Sequence, residues 1–164
     1  MQRQTKRVTL DRMSVETNHE TRVRWTGSFD PNVSGAYTRD MSIEPAGKPV
    51  IAGSASAAYG GDDGRYNPED LMLASLAECH LLTYLAIAAK ARIPLLGLEV
   101  SASGIIANVS GKMRFREATI LPTTRVAKAE DIQRATDLHQ SAHRHCFMSN
   151  SVNFPITVTP TVTA

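Results

Sequence analysis

The chain has 164 residues and a formal net charge of +2, a length that predicts one domain able to bury its own core. Its basic residues are scattered, without a basic run or an aromatic-rich stripe, so we expect no nucleic-acid partner. Two cysteines are too few for a disulfide scaffold, and no apolar segment follows the polar N-terminal residues. We therefore expect a cytoplasmic protein without a secretory signal.

Three strands are predicted in the first third of the chain. Residues 1–18 are polar and lack a period, so we expect an N-terminal arm there and a single domain over residues 19–164. Alternation of apolar and polar residues predicts strands over residues 20–28, 36–43 and 48–54.

The strand predicted over residues 36–43 carries an arginine on its apolar face. Arg39 falls on the same side as Tyr37 and Met41. A guanidinium that points inward needs a partner anion, whereas a side chain that snorkels from a sheet edge does not. The pattern leaves both interpretations open.

The segment over residues 67–90 predicts a long helix. Asn67 is a typical N-cap, Pro68 suits the first helical position, and Pro94 predicts an end within residues 90–92. The segment is apolar nearly all round, which indicates a helix buried on every side. Four polar residues interrupt it, so we expect a core helix rather than a membrane span, and no membrane partner. These residues are Ser75, Glu78, His80 and Thr83.

The rest of the chain predicts two paired strands, a second helix and a last strand. The paired strands cover residues 98–107 and 112–121, the helix residues 127–146, and the last strand starts at Ile156 and contains Pro160. The fold class is therefore α+β, with two helices packed on a curved, mostly antiparallel sheet.

Each predicted helix carries one cysteine on an apolar face, Cys79 in the first and Cys146 at the end of the second. If the helices pack together, the thiols could meet, and such a pair supports attack by one thiolate and resolution by the other. The thiolate needs a nearby cation, because burial alone raises the pKa of a thiol, and Arg39 is the inward-pointing candidate. The alternative is that Cys79 is an inert, small apolar residue.

A histidine-rich segment offers a second kind of site. His139 and His143 share a helix face, and Cys146 follows three residues later, which is compatible with metal ligation. The spacing lacks the glutamate of the metalloprotease motif, and no fourth ligand is evident. We therefore predict a helix end that suits the dipole, with no metal and no cofactor.

The motif Asn67-Pro68-Glu69, the alanine-rich segment after it, Cys79-His80 and the distal Cys146 resemble the OsmC/Ohr family, the osmotically inducible and organic hydroperoxide resistance proteins. The resemblance is to the OsmC-like branch and extends over most of residues 20–164. It implies an intertwined homodimer with active sites at the subunit interface.

The resemblance also implies that the protein is a thiol peroxidase, which reduces organic hydroperoxides. Cys79 would be the nucleophile, Cys146 the resolving thiol, and Glu69 would hold an arginine over the thiolate. A dithiol, in the family often a protein-bound lipoyl group, would be the reductant. The alternative is a non-enzymatic, redox-sensing or ligand-binding dimer with little peroxide turnover.

The position of the arginine is left open between two residues. Several OsmC-like sequences carry an arginine in the loop before the Asn-Pro-Glu motif, where this chain has Gly60. We favour Arg39, because Arg65 could simply pair with Glu69 or Asp70 at the helix start. A straight helix would separate Glu69 from Cys79, ten residues further on, by about 15 Å, so we expect the partner chain to complete the site, or else a break in the helix.

Overall fold

The computed structural model describes residues 16–33 and 35–164. Its chain forms two compact units, one within Met13–Leu71 and one within Met72–Ala164. The arm expected over residues 1–18 lies almost wholly outside the described residues. The assignment of residues 19–164 to a single domain stays a prediction.

The first unit contains a three-stranded antiparallel sheet in the order β1-β2-β3. Its strands are β1 (Thr21–Trp25), β2 (Met41–Pro45) and β3 (Ile51–Gly53). All three lie where strands were expected, but each is shorter. Alternation of this kind is typical of a half-buried strand, yet all five residues of β1 are exposed. In this single chain, the face that carries Val23 and Trp25 lines an open cavity.

The expected strand over residues 36–43 is the least accurate prediction in this unit, because only residues from Met41 onward form a ladder. The reason is local hydrogen bonding. The indole of Trp25 donates to the carbonyl of Thr38 at 2.8 Å, and the hydroxyl of Thr38 accepts from the amide of Ser28 at 2.9 Å. These side chains hydrogen-bond to the backbone carbonyl of Thr38 and the backbone amide of Ser28, groups that a regular ladder would pair with each other's strand. Arg39 therefore lies in an irregular segment before β2.

The long helix α1 covers Pro68–Ala91, which confirms the predicted start and end. Asn67 Oδ1 accepts the amide proton of Asp70 at 2.8 Å, and the carboxylate of Asp70 accepts from the amide of Asn67 at 3.4 Å, as in a capping box. At the other end Arg92 adopts a left-handed φ of 58°, and the amide of Ile93 donates to the carbonyl of Ala88 at 3.0 Å. This turn satisfies carbonyls that the helix end would leave free.

Burial of α1 is one-sided in the single chain. Leu76, His80, Tyr84 and Ala88, spaced four residues apart, are fully buried. Leu82 is 56% exposed and lies on another side of the helix. The expectation of a helix buried all round is therefore wrong for one chain, because the sheet and the second helix cover a single stripe.

By length and composition, α1 could cross a membrane. A core helix passes the same test, and the buried stripe of α1 packs against the sheet and the second helix of its own chain. The expectation of a core helix without a membrane partner stays a prediction.

The second unit is built on a long hairpin. Strands β4 (Leu95–Val109) and β5 (Lys112–Val126) pair antiparallel and are longer than predicted. They are joined at Ser110 and Gly111, whose positive φ angles of 53° and 83° suit a tight hairpin turn. A register shift between Ile105 and Ile106 marks a bulge, a feature that bends and twists a strand.

The C-terminal segment pairs with the hairpin in two short strands. Strands β6 (Ile156–Val158) and β7 (Thr161–Thr163) both run parallel to β5. Pro160 lies between them, since it has no amide proton to give to a ladder. The sheets are otherwise antiparallel, so the α+β class with two helices and mostly antiparallel sheets is confirmed.

The second helix, α2, covers Ile132–His145 and is shorter than the predicted 127–146. Residues Ala129–Asp131 form a separate 3₁₀ turn before it. Cys146 lies one residue beyond the helix, with extended φ and ψ of −72° and 116°. The backbone therefore turns away at the cysteine instead of carrying it on the helix surface.

Candidate active site

The structure brings the two cysteines together in the second unit. Cys79 lies half-buried in the middle of α1, and Cys146 is fully buried directly after α2. Both are free thiols, and they lie side by side, since each accepts from one of two consecutive backbone amides, those of Met148 and Ser149. The convergence of two sulfurs from distant parts of the chain was predicted from the sequence.

The backbone that follows Cys146 donates to both sulfurs. The amide of Met148 donates to Cys79 Sγ at an N–S distance of 3.5 Å. The next amide, that of Ser149, donates to Cys146 Sγ at 3.5 Å. Sequence reasoning missed these donors, because backbone amides leave no signature in residue types.

Burial raises the pKa of the Cys79 thiol above its ordinary value, and the contact with Cys146 raises it further. The amide of Met148 acts in the opposite direction, because it donates to the sulfur. Among the described residues of the second unit, no guanidinium contributes to this pKa shift. The pairing of Arg39 with the thiolate of Cys79 stays a prediction.

Arg39 and Glu69 lie in the first unit, where both line one cavity of about 570 Å³. Its wall is mostly aromatic and apolar, with Val23, Trp25, Tyr37, Met41, Tyr59 and Pro68. The structure thus places the four predicted site residues in two pairs, Cys79 with Cys146 and Arg39 with Glu69. Their catalytic roles stay predictions.

Arg39 is held at the cavity by its neighbours. Its guanidinium lies 4.4 Å above the ring of Tyr37 and donates to the carbonyl of Gly60 at 3.2 Å. Gly60 has a left-handed φ of 75°, and a Cβ there would come within 2.9 Å of Arg39 Nη1. The guanidinium of Arg39 therefore fills the space beside Gly60, the loop position at which several OsmC-like sequences carry an arginine.

Arg65 has other partners. It forms ion pairs with Asp62 at 3.2 Å and with Asp40 at 3.6 Å. It does not take the pairing with Glu69 or Asp70 that the sequence allowed, because a turn at residues 62–65 directs it toward Asp62. Arg39 and Glu69 take part in no ion pair within the residues that the structure describes, so both remain available to a further partner.

A buried pair of hydrogen-bonded histidines, His80 and His139, lies beside the thiols and was not predicted from the sequence. His80 Nε2 is 3.1 Å from His139 Nδ1, and His139 Nε2 is 3.0 Å from the hydroxyl of Thr124. The ring of Tyr84 stacks on His139 at a centroid distance of 3.8 Å. The signal available in the sequence was the pairing of Cys79-His80 in one helix with a histidine on the apolar stripe of the other.

The hydroxyl of Tyr84 donates to the carbonyl of Ala135 at 3.1 Å. A neutral imidazole has one N–H and one lone pair, so His139 donates in one of its two ring contacts and accepts in the other. His80 Nδ1 is buried without a hydrogen-bond partner in the described structure.

Burial lowers the pKa of both His80 and His139 to about 4, so both rings are neutral at pH 7. Both ring nitrogens of His139 are hydrogen-bonded, one to His80 and one to Thr124, which leaves no lone pair for a metal. No set of three histidine, cysteine or acidic side chains among the described residues has the geometry of a metal site.

Comparisons with known proteins agree with this architecture. Residues 60–161 match the OsmC-like protein family. A solved OsmC-like protein of unknown function from Vibrio cholerae is 26% identical, with a TM-score of 0.82 over 89% of this chain and 100% of that one. A comparison with curated proteins found no match.

Two further solved structures share the fold at lower identity. An organic hydroperoxide resistance protein from Elizabethkingia anophelis is 21% identical, with a TM-score of 0.69 over 92% of this chain and 99% of that one. The organic hydroperoxide resistance protein OhrB of Bacillus subtilis is 19% identical, with a TM-score of 0.63 over 89% and 98% of the respective chains.

Proposed function

The chain belongs to the OsmC-like protein family, and we propose that it reduces organic hydroperoxides through Cys79 and Cys146. The observation that carries the proposal is the placement of these two free thiols side by side, each accepting from one of the consecutive amides of Met148 and Ser149.

The proposed reaction has two steps on the protein. The Cys79 thiolate attacks one oxygen of the hydroperoxide, the O–O bond breaks, and the sulfur becomes a sulfenic acid while the alkoxide takes a proton to leave as an alcohol. The Cys146 thiol then attacks the sulfenic sulfur, which forms a disulfide and releases water. An external dithiol such as a lipoyl group reduces the disulfide and is itself oxidised. The proposed reaction needs no bound cofactor.

The thiolate needs a cation, and no guanidinium of the described residues in the second unit acts on Cys79. Arg39 and Glu69 share a cavity and lack ion-pair partners in the described structure, so they form the other half of a charged site. We propose that a second copy of the chain supplies this half, with Glu69 orienting Arg39 toward the thiolate of Cys79. A guanidinium beside a thiolate lowers its pKa, which would reverse the effect of burial.

Apolar side chains around the thiols favour an apolar substrate. Phe147, next to Cys146, is 68% exposed, and Leu82 lies one helical turn beyond Cys79. These surfaces suit an alkyl or aryl hydroperoxide better than hydrogen peroxide, because burying the organic group against them contributes favourable binding free energy.

The test is consumption of cumene hydroperoxide with dihydrolipoamide as reductant. We expect turnover by the native chain, none by Cys79→Ser, and a trappable sulfenic acid at Cys79 in Cys146→Ser. Loss of turnover in Cys79→Ser with the fold intact would fit only a reactive Cys79. A native chain that consumes no peroxide would contradict the proposal.

The second candidate is a redox-sensing dimer with little turnover, and the raised pKa of Cys79 favours it. In that case the disulfide would form stoichiometrically with peroxide and persist in the presence of dithiol. The same assay separates the two, because a sensor consumes a single equivalent of peroxide per chain and then stops.

A further inference from the structure

We propose that His143 and Ser149 form a buried polar site beside Cys146, which moves the proton of this thiol to the oxygen that leaves Cys79 when the disulfide forms. This inference rests on the proposed function, because it assigns the proton transfer in the second step of the same reaction. It adds two residues to the four that the sequence predicted for the site.

Three polar side-chain atoms of the second unit are buried and have no hydrogen-bond partner among the described residues. They are Nδ1 of His80, Nδ1 of His143 and Oγ of Ser149. Leaving a buried polar atom unsatisfied is costly, so such atoms point to a polar group that binds there at some stage of the protein's function. A thiol proton and the oxygen of a sulfenic acid are polar groups of this kind.

The spacing of α2 places His143 between the histidine pair and the thiols. It follows His139 by four residues, so the two side chains share a helix face with their Cβ atoms about 5–6 Å apart. The amide of Cys146 donates to the carbonyl of His143 at 3.3 Å. Because His139 contacts His80, and Cys146 lies beside Cys79, this face of α2 meets α1 on both sides of His143.

Ser149 reaches the same site from the turn that follows Cys146. Its amide donates to Cys146 Sγ at 3.5 Å, and the preceding amide, that of Met148, donates to Cys79 Sγ at 3.5 Å. The turn is fixed on the end of α2, since the amide of Asn150 donates to the carbonyl of Cys146 at 3.1 Å. The buried hydroxyl of Ser149 is therefore held beside the sulfurs before any reaction.

Cys146 needs a proton acceptor inside the protein. It is fully buried, so its thiol has no solvent beside it to which the proton can pass. His143 is half-buried with Nδ1 on its buried side, and a neutral imidazole nitrogen with a lone pair can accept a proton. His80 is less suited, because its Nε2 already bonds to His139, and burial and the charge of His143 lower its pKa to about 4.

The proton and the electrons of the step balance within this site. Nδ1 of His143 takes the proton of Cys146, and the resulting thiolate attacks the sulfur of the Cys79 sulfenic acid. The sulfur–sulfur bond forms, and the sulfur–oxygen bond breaks with its electron pair going to oxygen. The departing hydroxide takes the proton back from His143 and becomes water. The hydroxyl of Ser149 donates a hydrogen bond to this oxygen as its negative charge develops.

The proton transfer can be tested without peroxide. Dithiodipyridine converts Cys79, the more accessible thiol, into a thiopyridyl mixed disulfide, and attack by Cys146 then releases pyridine-2-thione, which is followed by its absorbance. We expect His143→Gln to slow this release about 100-fold, because the internal proton acceptor is lost. His145→Gln, at an exposed position of the same helix end, is the matched control and should keep the native rate.

Chemical rescue separates this role from a structural one. In His143→Ala, imidazole added to the solution should restore the release of thione in proportion to its concentration, because the free base replaces the missing ring. The native chain should not respond to imidazole. Slow release in His143→Gln together with no response to imidazole in His143→Ala would show that the ring only supports the fold, and would overturn the proposal.

The role of Ser149 is specific to the step that releases oxygen. Ser149→Ala should leave the release of thione unchanged, since no oxygen departs in that reaction. It should slow the conversion of the Cys79 sulfenic acid into the disulfide about tenfold, because one hydrogen bond to the departing oxygen is lost. The sulfenic acid is formed with a stoichiometric amount of cumene hydroperoxide and trapped with dimedone at successive times. Slowing of both reactions, or of neither, would remove Ser149 from the site.

An unchanged release of thione in His143→Gln would overturn the proposed proton acceptor. Slow release in this variant of a chain that consumes no peroxide would keep the proton acceptor and reject the peroxidase. Peroxide turnover by the native chain with unchanged release in the variant would do the opposite.

Discussion

At the scale of single residues, the neutral histidine pair makes stability depend on pH. The pKa values of His80 and His139 fall from an ordinary value of 6.5 to about 4, mainly because both rings are buried. The unfolded chain binds protons at these residues below pH 6.5, whereas the folded chain does not until about pH 4. The stability associated with the neutral pair is therefore fully present above pH 6.5 and is lost as the pH falls toward 4.

We expect the free energy of unfolding to fall between pH 6.5 and 4 by up to about 2.7 kcal/mol per pH unit, since two protons are taken up on unfolding. In His139→Gln the slope should fall to about half, because one of the two protons is no longer involved. Urea denaturation of the reduced protein from pH 4.5 to 7.5 measures both slopes. His145→Gln, at an exposed position, is the control and should leave the slope unchanged.

A flat dependence on pH in the native chain would show that these rings are charged or solvated. The sequence predicted neither the pair nor its state. It placed His139 on an apolar stripe and His80 beside the cysteine, but the contact between them depends on how α1 and α2 pack. The same limit applies to Arg65, whose partners Asp40 and Asp62 were not those nearest in the helix.

At the scale of elements, the start of α1 depends on a reciprocal cap. The side chain of Asn67 accepts the amide proton of Asp70 at 2.8 Å. We expect Asn67→Ala to lower the free energy of unfolding by about 1 kcal/mol, because the amide of Asp70 then lacks this acceptor. Asn153→Ala is a control at an exposed asparagine outside any cap, and thermal unfolding of the two variants would give the difference. Equal melting temperatures would show that water replaces the cap without loss.

Local signals explain which elements could be predicted. The bounds of α1 follow from Asn67, Pro68 and Pro94, which act within one or two residues of their own positions. The turn at Ser110-Gly111 is local in the same way. The segment before β2 has the alternation of apolar and polar residues that predicts a strand. Its conformation is decided instead by hydrogen bonds from the indole of Trp25 to the backbone of Thr38, and from the backbone of Ser28 to the hydroxyl of Thr38. Such contacts depend on the pairing of two segments and not on either pattern alone.

At the scale of the whole molecule, the single chain leaves apolar surface that its own elements do not cover. Leu82 and Leu85 on α1 are 56% and 39% exposed, and Phe147 beside the thiols is more exposed still. The sequence indicated a helix buried on all sides, and one chain buries only a stripe. The difference is the surface that a second copy would cover in a dimer. Arg39 and Glu69 of the first unit, which form no ion pair with any residue the structure describes, agree with such an arrangement. The sequence shows which residues of α1 are apolar, but it does not show which of them are buried within one chain and which would be buried against a second copy.

We therefore expect the native chain to form a dimer in solution and Leu82→Lys to raise the dimer dissociation constant at least about 100-fold, since burying an unpaired ammonium at an interface costs about 3 kcal/mol or more. Peroxide turnover should fall in parallel, because each thiol pair would lose the Arg39 supplied by its partner. The matched control is Leu96→Lys on β4, where the native leucine is also 56% exposed. Sedimentation of both variants, with turnover measured at the same concentrations, separates the two effects. A native chain that sediments as a monomer and turns over peroxide fully would show that one copy completes its own site.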